Sequence, residues 1–84
     1  MSEVTLYSTG WCPFCVRAKR LLDGKSARVH EIDVDQEPGG RREMMERSGR
    51  RTVPQIWIGD RHVGGCDELF ALERAGELDD LLAG

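Results

Sequence analysis

Near the start of the chain, Cys12-Pro13-Phe14-Cys15 combines residue types and a spacing that can do chemistry. Thiols about one helical turn apart can form and break a disulfide without moving the fold around them. Pro13 suits that geometry, because its missing N–H costs nothing at the first position of a helix. Cys12 then falls at the helix N-terminus, where unpaired N–H groups and the macrodipole favour a thiolate. The thiolate is the nucleophilic form, and such positions lower a cysteine pKa from about 8.5 to as little as roughly 3.5. Cys15 points back toward the core and is expected to remain a thiol, ready to resolve a mixed disulfide. Cys12 and Cys15 are thus the expected catalytic pair.

The same motif can supply half of a zinc site, with His62 and Cys66 as the other half. Structural zinc sites, however, typically gather their ligands in compact pairs. A C-x-x-C straddling a helix start inside a strand–helix–strand pattern favours redox chemistry instead. No metal is therefore expected, and His62 reads as a hairpin residue.

The setting supports that reading. The chain has 84 residues, 39% of them apolar, and three cysteines. That is too few cysteines for an all-paired disulfide framework. A single domain spanning residues 1–84 is expected, its core built mainly from apolar side chains. A net charge of −3 gives no sign of a general nucleic-acid binder. Met1-Ser2-Glu3 lacks the basic start and apolar run of a signal peptide, and no apolar stretch approaches a membrane span. The expectation is a soluble, cytoplasmic, monomeric protein that binds neither nucleic acid nor membrane.

The elements that must position the cysteines follow from periodicity. Glu3 to Ser8 alternates Val4 and Leu6 with polar Thr5, as a strand does. Thr9-Gly10-Trp11 turns the chain, and Cys15, Ala18 and Leu22 then recur at helical spacing up to Asp23-Gly24. Arg28 to Val34 reads as a second strand, with Val29 only loosely in phase with Ile32 and Val34. A helix between two strands implies a parallel pair. Arg41 to Ser48 is a short helix with Met44 and Met45 inward, closed by Gly49. Pro54 opens a strand from Gln55 to Ile58. Gly59-Asp60 turns it back into Arg61 to Gly64, making a hairpin. A last helix begins near Cys66 or Asp67 and carries Leu69, Phe70 and Leu72; Gly76 interrupts it before Leu78, Leu81 and Leu82. The order β-α-β-α-β-β-α predicts an α/β chain with a four-stranded mixed sheet flanked by helices, the thioredoxin-like fold.

Three segments together then carry a resemblance. Cys12-Pro13-Phe14-Cys15, Thr52-Val53-Pro54 and Gly64-Gly65-Cys66-Asp67 stand in the order and at the intervals of the dithiol glutaredoxins, and the chain most resembles the small bacterial members of that family from Val4 almost to its C-terminus. The resemblance implies a thiol–disulfide oxidoreductase with glutathione as co-substrate. It implies that Pro54 is cis and that Thr52, Val53 and Pro54 present backbone to the cysteine of glutathione, as a short added strand. It implies that Gly65, Cys66 and Asp67 hold the γ-glutamyl end. Free N–H groups at that helix start suit an α-carboxylate, and the Asp67 carboxylate suits the α-ammonium. Cys66 then contributes backbone, while its side chain acts as a small, half-buried apolar group. By position, Arg41 is the implied contact for the glycine carboxylate, with Arg51 a second candidate. Both belong to a run of five arginines between Arg41 and Arg51, a basic patch on an acidic chain.

Thr9 stands where many members of the family carry a lysine, Phe14 where most have tyrosine, and Trp11 is closer to the thioredoxins. The implied partners are glutathionylated proteins and protein disulfides, among them reductases that cycle through a disulfide. Two other roles remain open at this point. One is a donor fed by a thioredoxin reductase; the other is an iron–sulfur cluster carrier, which Pro13 opposes by stiffening the loop.

Overall fold

A computed structural model describes residues 2–84. The chain runs β1 (Glu3–Ser8), α1 (Pro13–Gly24), β2 (Arg28–Asp33), α2 (Gly40–Ser48), β3 (Gln55–Ile58), β4 (Arg61–Gly64), α3 (Cys66–Arg74) and α4 (Leu78–Ala83). The strands form one sheet in the order β2-β1-β3-β4. β1 and β2 are parallel, and the other two pairs are antiparallel. β1 is therefore central, and its C-terminal end delivers the chain to Cys12.

Alternation along the strands divides the core in two, as the pleat requires. Val4, Leu6, Ile56 and Ile58 face one side, where Ala18 and Leu22 of α1, Leu69 of α3 and Leu78 and Leu82 of α4 cover them. Tyr7 and Trp57 face the other side and pack with Val34 and with Met44 of α2. This explains why Val29 is out of phase with its neighbours. Val29 packs against the first core, whereas Ile32 packs against the second. Met45, expected inward beside Met44, is only half-buried.

The last helix differs from the sequence expectation in being two. α3 ends in a Schellman closure, with the Gly76 N–H donating to the Glu73 carbonyl (3.1 Å) and the Glu77 N–H to the Leu72 carbonyl (3.0 Å). Gly76 sits at φ +74°, a left-handed conformation that glycine adopts without penalty. The chain then turns, and α4 returns Leu78 and Leu82 to the same core as α3.

Candidate active site

Cys12 is the N-cap of α1, in extended backbone geometry, with Pro13 directly after it. Its sulfur accepts the Cys15 N–H at 3.1 Å, so a thiol takes the place that Ser or Asp usually holds at a helix start. The same sulfur lies 3.7 Å from the Val53 carbonyl oxygen. Cys15, one turn along, is one of the buried residues of α1. Both are largely covered, Cys12 at 9% exposure and Cys15 at 3%. Burial, joined by the hydrogen bond with Cys12, pushes the Cys15 thiol up to about 12. All three cysteines are free thiols. Trp11, at 98% exposure, and the half-exposed Phe14 and Val16 are exposed apolar side chains next to the pair in the sequence.

Beside this pair lies a groove of about 370 Å³. Thr52, Val53, Pro54 and Gln55 line one wall, Gly65, Cys66, Asp67 and Glu68 the other, and Phe14 and Arg50 complete it. The Val53–Pro54 bond is cis. The segments from Thr52 to Pro54 and from Gly65 to Asp67, far apart in sequence, thus share one groove with the cysteine motif.

The second wall is the start of α3, with Gly65 as N-cap. Glu68, three residues on, reaches back and accepts the Gly65 N–H at 2.6 Å. This is half of a capping box, because Gly65 has no side chain to complete it. The Gly65 N–H, with help from Arg50 at 3.1 Å, holds the Glu68 carboxyl below the usual carboxylate range. Cys66 and Asp67 lie in the first turn, where N–H groups have no intrahelical acceptor. Cys66 itself is buried among the first core, and burial pushes its thiol up.

Arg41 does not line this groove. Its guanidinium pairs with Asp35 at 2.9 Å, on the loop before α2. Arg51 does not line it either. The cation there is Arg50, which the sequence reading passed over. Residues 50–54 form no strand, and Val53 and Gln55 line the groove along with Thr52 and Pro54, so no alternation marks Arg50 in the sequence. His62 stacks on Trp57 in the second core, on the opposite side of the sheet from Cys66. That separation keeps His62 and Cys66 from sharing a metal site. Among the described residues no group of three or more His, Cys, Asp and Glu side chains could hold a metal ion.

Comparisons with known proteins converge on one group. The Glutaredoxin family model matches residues 4–63. A glutaredoxin of Pseudomonas aeruginosa is 55% identical over 83 residues, covering 99% of each chain. Glutaredoxin 3 of Escherichia coli is 49% identical over 82 residues, covering 98% of this chain and 99% of its own. Among solved structures, a buckwheat glutaredoxin–glutathione complex superposes with a TM-score of 0.89 at 35% identity, covering 98% of this chain and 77% of the other.

Proposed function

The chain belongs to the glutaredoxin family and is a glutathione-dependent thiol oxidoreductase; from that premise we propose that it reduces glutathione mixed disulfides and protein disulfides through Cys12 and Cys15. The observation that carries this reading is the asymmetry of the pair. One sulfur receives a helix N–H at 3.1 Å, and the other is a buried thiol pushed up to about 12.

The Cys12 thiolate attacks the glutathione sulfur of a mixed disulfide. A Cys12–glutathione bond forms, the substrate sulfur leaves as a thiolate, and it takes a proton from solvent. A second glutathione thiolate then attacks the glutathione sulfur, giving glutathione disulfide and free Cys12. With a protein disulfide, the Cys12 thiolate attacks one partner sulfur and the other leaves as a thiolate. Cys15 then loses its proton and attacks the Cys12 sulfur, releasing the partner thiolate and leaving a Cys12–Cys15 bond, which two glutathione thiols reduce with formation of glutathione disulfide.

The groove fits glutathione as a short extended peptide. Val53 offers backbone groups beside Cys12, as a sheet edge does to an added strand. The first turn of α3 suits the γ-glutamyl carboxylate, and Asp67 suits the ammonium. Arg50, tethered by Glu68, is the cation lining the groove and suits a carboxylate of glutathione. Thr52, Pro54, Gly65 and Cys66 shape the walls. No helix among the described residues is long and apolar enough to cross a membrane. We place the protein as a monomer in the cytoplasm, where the glutathione pool supplies the electrons.

The test uses Cys15→Ser, which can be trapped at the first step. Incubation with glutathione disulfide should add one glutathione by intact mass, and peptide mapping should place it on Cys12. Glutathione on Cys66, or on no cysteine, would overturn the assignment.

A further inference from the structure

The wall from Thr52 to Pro54 is held in an unusual way. Residues 50–54 lie outside the sheet, and among the described residues no backbone–backbone hydrogen bond ties them down. What holds Thr52 is a side chain. Gln55 opens β3 and is wholly buried. Its Nε2 donates to the Thr52 carbonyl at 3.0 Å and to the Thr52 hydroxyl at 3.2 Å. A carbonyl only accepts, so the amide must face it with its NH₂, which leaves Oε1 for the other side. There Oε1 lies 2.8 Å from His62 Nε2. An amide oxygen only accepts as well, so His62 must carry its proton on Nε2. The His62 ring is fixed in turn by stacking on Trp57, with centroids 4.5 Å apart. Beyond Trp57 stands Arg47, whose guanidinium lies 4.3 Å over the indole and donates to the Tyr7 hydroxyl at 2.9 Å.

We propose that Gln55 and His62 are positioning residues for the glutathione moiety, acting through Thr52 to hold the Thr52–Val53–Pro54 wall in register with Cys12. The pair touches neither reacting sulfur. His62 orients the Gln55 amide, the amide fixes the Thr52 carbonyl, and Thr52 sets the backbone that leads into Val53. A buried polar side chain with every partner satisfied specifies one arrangement, whereas a half-satisfied one leaves donors and acceptors unmet. The role rests on the glutathione reading above, since Val53 matters only for a substrate with a peptide backbone to pair.

The experiment compares two substrates, one peptide carrying a disulfide to glutathione and the same peptide carrying a disulfide to mercaptoethanol, which has no backbone groups. Turnover is followed with glutathione and glutathione reductase. His62→Phe keeps an aromatic ring on Trp57 and removes the donor; His62→Gln restores a donor. Gln55→Met removes the amide altogether, and the two His62 variants carry the test if that core variant fails to fold. Loss of one hydrogen bond in the chain should raise KM for the glutathionylated peptide about tenfold in His62→Phe, with kcat changed less than twofold. The mercaptoethanol substrate should lose far less, and His62→Gln should recover most of the KM. An unchanged KM in His62→Phe, an equal loss on both substrates, or a His62→Gln variant as impaired as His62→Phe would overturn the proposal. A wild-type protein that shows no preference between the two substrates overturns the glutathione reading itself, and this role with it.

Discussion

Replacing Gly64 by alanine probes how the second wall of the groove is held. Gly64 ends β4 at φ +116°, a backbone conformation that side chains with a Cβ rarely adopt. Strain of this kind costs about 1–3 kcal/mol. A Cβ there would also lie 2.5 Å from Glu68 Oε1 and 3.0 Å from its Cγ. Glu68 is a flexible side chain, so it moves rather than the helix. In moving it gives up the Gly65 N–H at 2.6 Å and Arg50 at 3.1 Å. Loss of a helix cap costs about 0.5–2 kcal/mol, bringing the total to roughly 3 kcal/mol. At about 4–8 °C per kcal/mol for a domain of this size, Tm should fall by roughly 12–24 °C. Thermal unfolding of the reduced protein measures it, with Glu68→Ala and the double variant completing a cycle. Gly64→Ala has already displaced Glu68, so Glu68→Ala should cost little in that background, leaving a coupling of about 1 kcal/mol. A Tm fall below about 4 °C, or costs that simply add, would refute the reasoning.

Glu68 also makes stability depend on pH. Its folded pKa is depressed, first by the Gly65 N–H and then by Arg50, so its contribution is full above the unfolded value of about 4.3 and is lost as pH falls through the lower folded value. The gap in urea midpoint between the parent and Glu68→Gln should therefore be wide at neutral pH and shrink under strong acid; an equal gap at both would count against it. On the other side of the sheet, the buried Tyr7 hydroxyl donates to Glu43 and accepts from Arg47, tying α2 to β1. Tyr7→Phe should lower stability by about 1 kcal/mol, read from urea denaturation, and an unmoved midpoint would show that the tie contributes nothing.

Strand periodicity was the most legible part of the fold. β1, β3 and β4 begin and end where alternation, Pro54 and Gly59-Asp60 place them, because a turn residue bounds each of them. β2 was harder to read because it is an edge strand whose apolar residues serve both cores, so no single phase fits Val29 and Ile32 together. The last helix was read with an interruption at Gly76, and the structure makes that a full stop, with α4 turned back onto the core. In the groove, the short motifs marked backbone positions that only a tertiary fold brings together. Arg50 lies in a stretch with no periodicity of its own, and only its partner Glu68, eighteen residues on, shows which way it faces. The Thr52–Gln55–His62 chain was invisible for the same reason. A buried glutamine at a strand start reads as an exposed edge residue until its partners are known.

Three cysteines of identical chemistry end in different roles, and a helix N-terminus alone does not explain the difference. Cys12 and Cys66 both stand at helix starts, and their exposures, 9% and 5%, are too close to separate them. What differs is one step in register. Cys12 is an N-cap, outside the helix in extended geometry, and a side chain there swings back over the open N–H groups, as its 3.1 Å bond from Cys15 shows. Cys66 is the first residue inside its helix, and its side chain packs away from those N–H groups into the first core. Pro13 contributes to the distinction by taking the first helical position behind Cys12, which leaves the cap to the thiol. In the mechanism proposed above, the attacking cysteine is thus set apart by its place relative to the cap, one residue outside its helix where Cys66 is the first residue inside.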